Sequence, residues 1–160
     1  MNVARHSRHG RERASKLTDM ASQSTYLEQL STVPLLSSFS KRELTKVARA
    51  ADELHVKAGR EVVVEGNVGH ECFVILDGEA SVSRDGHVIA TFRAGDHFGE
   101  LALLDGGPRT ATVTATTDLD LLVIGQRQFL GLLEELPGLS RKMLATLAGQ
   151  VRRLDDHLYG

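Results

Sequence analysis

A chain of 160 residues and 17.4 kDa, with a formal net charge of −2, has room for one domain with a proper core and a tail, but not for two full domains. Hydrophobic residues at 41% and charged residues at 25% exclude disorder throughout and a collagen-like repeat. No apolar run approaches the ~18 residues of a membrane span, the basic N-terminus lacks the apolar middle of a secretory signal, and the single cysteine, Cys72, forbids an internal disulfide, so a cytoplasmic location is expected.

Charge separates a tail from a body. Residues 1–24 carry Arg5, Arg8, Arg11, Arg13 and Lys16 against Glu12 and Asp19, a net of +3 that leaves −5 for the rest. This polar stretch reads as a disordered basic arm, and 25–160 as the folded domain. The negative body argues against a nucleic-acid-binding face. Tyr26, Leu27 and Leu30 then predict a turn or two of helix, stopped at Val33-Pro34. Ser40 and Glu43 form a capping-box pattern ahead of Leu44, Val47, Ala48 and Ala51, whose spacing predicts an amphipathic helix.

Between about residues 53 and 125 the rhythm is that of short strands. Runs at 53–57, 61–65, 71–76, 80–84, 87–93, 109–116 and 119–124 are separated by Ala58-Gly59, Gly66, Asp77-Gly78, Asp85-Gly86 and Ala94-Gly95-Asp96, which suit tight turns. Cys72, inside an apolar run, reads as a buried small hydrophobe. After Gly125 the helical period returns in Phe129, Leu130, Leu133 and Leu136, breaks at Pro137-Gly138, and resumes with Leu144, Leu147, Val151, Leu154 and Leu158. The predicted fold class is therefore α+β. An antiparallel β-roll of jelly-roll type is flanked by N-terminal helices and by two C-terminal helices, at about 126–136 and 139–158.

One stretch departs from the strand rhythm. Gly99 to Leu104 lies between strands yet suits a single turn of helix, so a short helix is expected to be inserted in the roll. A helix start offers unpaired N–H groups and partial positive charge, and Arg109 adds a guanidinium able to grip two phosphate oxygens. Glu100 beside a phosphate calls for a hydroxyl donor, and a ribose hydroxyl fits that role, with the carboxylate charge balanced partly by Arg109.

Phe98-Gly99-Glu100-Leu101-Ala102-Leu103, followed by Pro108-Arg109-Thr110-Ala111-Thr112-Val113, resembles the phosphate-binding cassette of cyclic-nucleotide-binding domains. The match is nearer to kinase regulatory subunits and channel gating domains than to the bacterial catabolite activator. Glu65-Gly66, Gly69, Phe73-Val74-Ile75, Gly78, Gly86 and Gly95-Asp96 follow the same pattern, and the resemblance spans roughly Val33 to Leu154. It implies a ligand site of Phe98, Gly99, Glu100, Leu101, Ala102, Arg109, Thr110 and Ala111. Glu100 would take the ribose hydroxyl, Arg109 the exocyclic oxygens, and Thr110 and Ala111 would lie near phosphate and purine. Cyclic AMP is the expected ligand, and cyclic GMP stays open because the Thr110 hydroxyl can reach a guanine amino group.

The expected function is a stand-alone receptor that signals to an effector protein, and the resemblance implies that its C-terminal helices move on binding. Leu154, Leu158 and Tyr159 are candidate lid residues, and the Leu144 to Leu158 seam is either that lid or a homodimer interface. No catalytic constellation is recognisable, so an enzyme is not expected. Nor is a cofactor, and His70, His87 and His97 lack metal-ligand spacing. Two other readings remain: a ligand-independent interaction scaffold with a degenerate site, and a transcriptional regulator lacking its own winged-helix domain.

Overall fold

The computed structural model describes residues 20–159, with side-chain surroundings from Thr25 to Leu158; the arm expected at 1–24 therefore lies outside the described residues as far as residue 19. Helix α1 (Met20–Ser31) begins inside the stretch assigned to that arm and runs three turns, where one or two were expected. A 3-10 turn at Pro34–Leu36 follows. Helix α2 (Lys41–Ala50) starts at a complete capping box, in which the Ser40 hydroxyl accepts from the Glu43 amide and the Glu43 carboxylate accepts from the Ser40 amide.

Eight strands come next: β1 (Asp52–Val56), β2 (Glu61–Val63), β3 (Glu71–Asp77), β4 (Glu79–Arg84), β5 (His87–Arg93), β6 (His97–Phe98), β7 (Thr112–Ala115) and β8 (Leu119–Gly125). Helix α3 (Glu100–Asp105) interrupts them after β6, and α4 (Gln126–Glu135) and α5 (Pro137–Tyr159) close the chain. The strands form two four-stranded sheets, ordered β1-β8-β3-β6 and β2-β7-β4-β5, with every pair antiparallel. At the β4–β5 hairpin, Asp85 and Gly86 both have positive φ (53° and 80°), the geometry for which an Asp-Gly pair is suited.

Apolar alternation divides the core in two. Phe73 and Ile75 of β3, with Leu121 and Val123 of β8, face the roll interior beside Val82, Phe98 and Val113. Their neighbours Cys72, Val74, Leu122 and Ile124 face outward and are covered by the helices, which contribute Leu30, Leu44, Val47, Phe129, Leu132 and Leu136. The central strands are thus buried on both faces, which explains their unbroken apolar runs.

Two strands are shorter than their apolar patterns. The run expected over 109–116 pairs only from Thr112, because the Arg109 amide donates to the Asn67 carbonyl (2.9 Å) and its carbonyl accepts from the Gly66 amide (2.8 Å). Strand β2 ends at Val63 because the Glu65 amide donates to the Thr112 hydroxyl (3.0 Å) instead of a ladder carbonyl. The two-residue β6 was not anticipated; it exists through pairing of Phe98 with Phe73 and of His97 with Val74. Pro137 begins α5, since its missing N–H is no loss at a first helical position.

Candidate ligand site

Arg109 is the centre of the site and is only 8% exposed. Its Nη1 donates to the Gly99 carbonyl (3.0 Å) and its Nη2 to the Glu71 carbonyl (2.8 Å), while the guanidinium carbon lies 5.9 Å from the centre of the Phe73 ring. Two N–H groups are thus engaged by the protein, and the fork holds five. Burial pushes the Arg109 pKa below its ordinary value, opposed chiefly by the charge of Glu71 and also by that of Glu100, and the group stays a cation.

The backbone around this side chain needs glycine. Gly99 caps α3 with φ of 90°, and a Cβ there would lie 2.7 Å from Arg109 Nη1 and 3.1 Å from the Glu71 carbonyl. Gly69 is tighter still, for a Cβ would meet the guanidinium carbon and Nε at 2.2 Å. Helix α3 has no side-chain cap, so its first-turn amides keep their hydrogen-bonding capacity.

Glu100, at 9% exposure, is the other buried charged residue among the described residues. It makes no ion pair with Arg109, and the partial charge balance expected between the two acts at longer range, the Glu100 charge raising the Arg109 pKa. Its near neighbour is His97, whose Nδ1 is 3.4 Å from Glu100 Oε2; this is an ion-pair contact too loose for a hydrogen bond, and Oε2 has no hydrogen-bond partner among the described residues. The Glu100 carboxylate is the main cause that raises the His97 pKa, against an opposing contribution from burial.

All eight residues of the expected ligand site, Phe98 to Ala102 and Arg109 to Ala111, line one cavity of about 700 Å³. That volume is in the range of small-molecule sites, which run from roughly 300 to 1,000 Å³. Phe98 is 5% exposed and stacks with both Phe73 (5.0 Å) and Phe92 (5.5 Å), so it forms the floor. Leu101 is partly exposed at the rim, and Arg84 reaches the same rim with its Nε donating to the Thr110 carbonyl (2.9 Å).

Sequence reasoning missed several walls. Pro34 and Leu35 of the 3-10 turn and Lys142, Thr146 and Gln150 of α5 close one side, and Lys142 Nζ donates to the Pro34 carbonyl (3.1 Å). No short-range pattern carries such a contact, which spans more than a hundred residues. The signal for Gly69 was present, as a glycine outside any tight turn, but its role emerges only from the guanidinium beneath it. Of the candidate lid residues, Leu154 and Leu158 are 64% and 71% exposed and do not line the cavity, while the Tyr159 side chain lies outside the described residues. Leu144 and Val151 on the same seam are also exposed. Cys72 is buried, and its thiol is pushed up to about 12, chiefly by burial. Among the described residues, no three metal-ligating side chains cluster and no helix is long and apolar enough to cross a membrane.

The sequence pattern of the family described as cyclic nucleotide-binding domain matches residues 53–136. A cAMP-dependent protein kinase regulatory subunit of Eremothecium gossypii is 43% identical over 109 residues, covering 68% of this chain and 24% of that protein. The chain spans only about a quarter of the length of such curated relatives. Two solved structures are similar throughout the fold. One, described as PKAR CBD2 with Sp-2Cl-cAMPS bound, has a TM-score of 0.71 at 30% identity and covers 83% of this chain and 91% of that one. The other, a cAMP-bound PfPKA-R fragment, has a TM-score of 0.73 at 31% identity, with 85% and 47% covered.

Proposed function

Because the chain belongs to the cyclic nucleotide-binding domain family, a regulatory and sensing fold, we propose that it binds cyclic AMP, with cyclic GMP as the competing ligand, in the cavity beside Arg109. The observation that carries this reading is that cavity: it joins a buried guanidinium, uncapped helix amides and a buried carboxylate with an unpartnered oxygen. The guanidinium and the α3 amides would receive the exocyclic oxygens of an anionic diester. A Glu100 carboxylate oxygen would accept the ribose hydroxyl, adding a hydrogen bond to a buried acceptor group. The Thr110 hydroxyl, at the exposed rim, is the group through which the base would be chosen.

Movement would follow from packing. Leu103 of α3 belongs to the helical core together with Phe129 and Leu132 of α4, so drawing α3 toward a phosphate shifts the floor on which α4 and α5 rest. Helix α5 also lines the cavity, and a bound nucleotide would press on Thr146 and Gln150. The exposed seam of Leu144, Val151, Leu154 and Leu158 is the surface through which a second copy or an effector protein would read that shift. A cytoplasmic receptor acting on a protein partner is the output we favour.

Calorimetry with each nucleotide tests the ligand. Micromolar binding, about −8 kcal/mol, is expected for the wild type. Arg109→Lys, which keeps the charge but loses the fork, should weaken it at least about tenfold with the circular dichroism spectrum intact. Failure of the wild type to bind either nucleotide refutes the reading.

A further inference from the structure

Phosphate and sugar recognition by Arg109 and Glu100 leaves the neighbouring His97 without a task, although it sits in the wall of the same cavity. The side chains of His97 and Glu100 are 20% and 12% exposed, and Nδ1 faces Oε2 at 3.4 Å. A buried carboxylate needs compensation from hydrogen bonds or opposite charge. Arg109 turns Nη1 and Nη2 toward the Gly99 and Glu71 carbonyls and pairs with neither Glu100 oxygen. His97 is the group in reach.

We propose that His97 is a positioning residue for ligand capture: its Nδ1–H holds Glu100 Oε2, leaving Oε1 to accept the sugar hydroxyl, and its protonated form strengthens binding of the cyclic nucleotide. This rests on the reading of Glu100 as the ribose acceptor. A neutral imidazole carries one N–H, and if that proton sits on Nε2 a lone pair faces the carboxylate across 3.4 Å. The imidazolium always presents a donor at Nδ1. It also adds a positive charge to a cavity that must receive an anion. The contact is long at 3.4 Å and is free to shorten once a ligand fixes the carboxylate, as hydrogen bonds in binding sites do.

Charges of both signs line the cavity, and those acting on the ring are acidic. Glu100 of α3 and Asp96, which immediately precedes β6, both favour the imidazolium, while burial opposes it. On the other walls stand Arg84 at the end of β4, Arg109 ahead of β7 and Lys142 of α5, with the Cys72 thiol of β3 protonated. An arriving phosphodiester favours the imidazolium further. Binding therefore takes up a proton, and affinity falls as pH rises through the His97 transition.

Titration of the whole chain with cyclic AMP and cyclic GMP at pH 6.5 and 8.5, in buffers of different ionisation enthalpy, tests this. The expected result is proton uptake and affinity about three- to tenfold weaker at pH 8.5, equivalent to a ligand-induced shift of about half to one unit. His97→Asn keeps an N–H donor near Nδ1 but cannot titrate, so its profile should be flat. His97→Ala should be weaker than His97→Asn at both pH values. If His97→Asn retains the wild-type pH dependence, or the wild type shows none, the role of His97 is refuted while nucleotide binding stands. Absence of binding by the wild type at pH 6.5 overturns the nucleotide reading itself, and this inference with it.

Discussion

Gly69→Ala is the most informative single change, because it adds one methyl group where the guanidinium of Arg109 already lies. The added Cβ would stand 2.2 Å from both Cζ and Nε, whereas carbon atoms in contact prefer about 3.5–4.0 Å, so the guanidinium has to retreat by about 1.3 Å or more. The backbone at Gly69 is not in the left-handed region, and alanine itself fits there. The obstacle is the end of a side chain, so the roll should still form. Yet Arg109 is buried and held at 3.0 and 2.8 Å by two carbonyls, and such a displacement breaks at least one of these bonds. A hydrogen bond to a charged donor contributes about 1.5–3 kcal/mol. A loss of about 2 kcal/mol lowers the melting temperature of a domain this size by about 4–8 °C. Cyclic nucleotide binding should fall by about tenfold or more, since the fork would no longer face the position proposed for the phosphate. Differential scanning calorimetry and nucleotide titration read the two effects. A variant that melts within about 1 °C of the wild type and binds with unchanged affinity would refute the packing argument, because 1 °C is well below the shift that losing one such bond implies.

Gly131→Ala should act in the opposite direction. A Cβ there meets nothing within 4 Å, so the substitution removes backbone entropy from the unfolded chain and should stabilise α4 by about 0.5–1 kcal/mol in a urea titration. Leu103→Ala, at 3% exposure in the helical core, should cost about 2–4 kcal/mol by the same measurement, and a cost below about 1 kcal/mol would mean that α3 is not anchored there. The ligand-free protein should also show a pH signature. The folded-state pKa of His97 is raised, so its stabilising contribution is complete below the unfolded value of about 6.5 and disappears as pH rises through the folded value. The stability advantage of the wild type over His97→Asn in denaturant should therefore shrink between pH 6 and 8.5, and an advantage that grew would contradict the ion pair with Glu100.

Much of the site was legible in the chain because its parts are local. Phe98 to Ala102 sit on one strand end and the helix turn after it, and Arg109 to Ala111 follow a loop of a few residues, so their spacing already places them near each other. The cassette resemblance depends on that compactness. Arg109 and Glu100 balance each other's charge only at a distance, because the Arg109 fork is drawn to the Glu71 and Gly99 carbonyls. His97 lies three residues from Glu100 and is its actual neighbour. A histidine just ahead of a helix start shows no periodic signal, and the sequence offers it only as a candidate metal ligand.

The sequence by itself determined the succession of helices, short strands and helices, the burial of Cys72, the start of α2 at its capping box, and the short helix inserted in the roll. These follow from alternation, helical period, caps and turn residues, each of which acts over a few positions along the chain. Tertiary structure alone decided which carbonyls hold the guanidinium, why a side chain at Gly69 would displace it, and how the 3-10 turn and α5 meet at one side of the cavity. Those contacts join residues far apart in the chain, and their free energy comes from excluded volume and desolvation in an assembled interior, which no local pattern encodes.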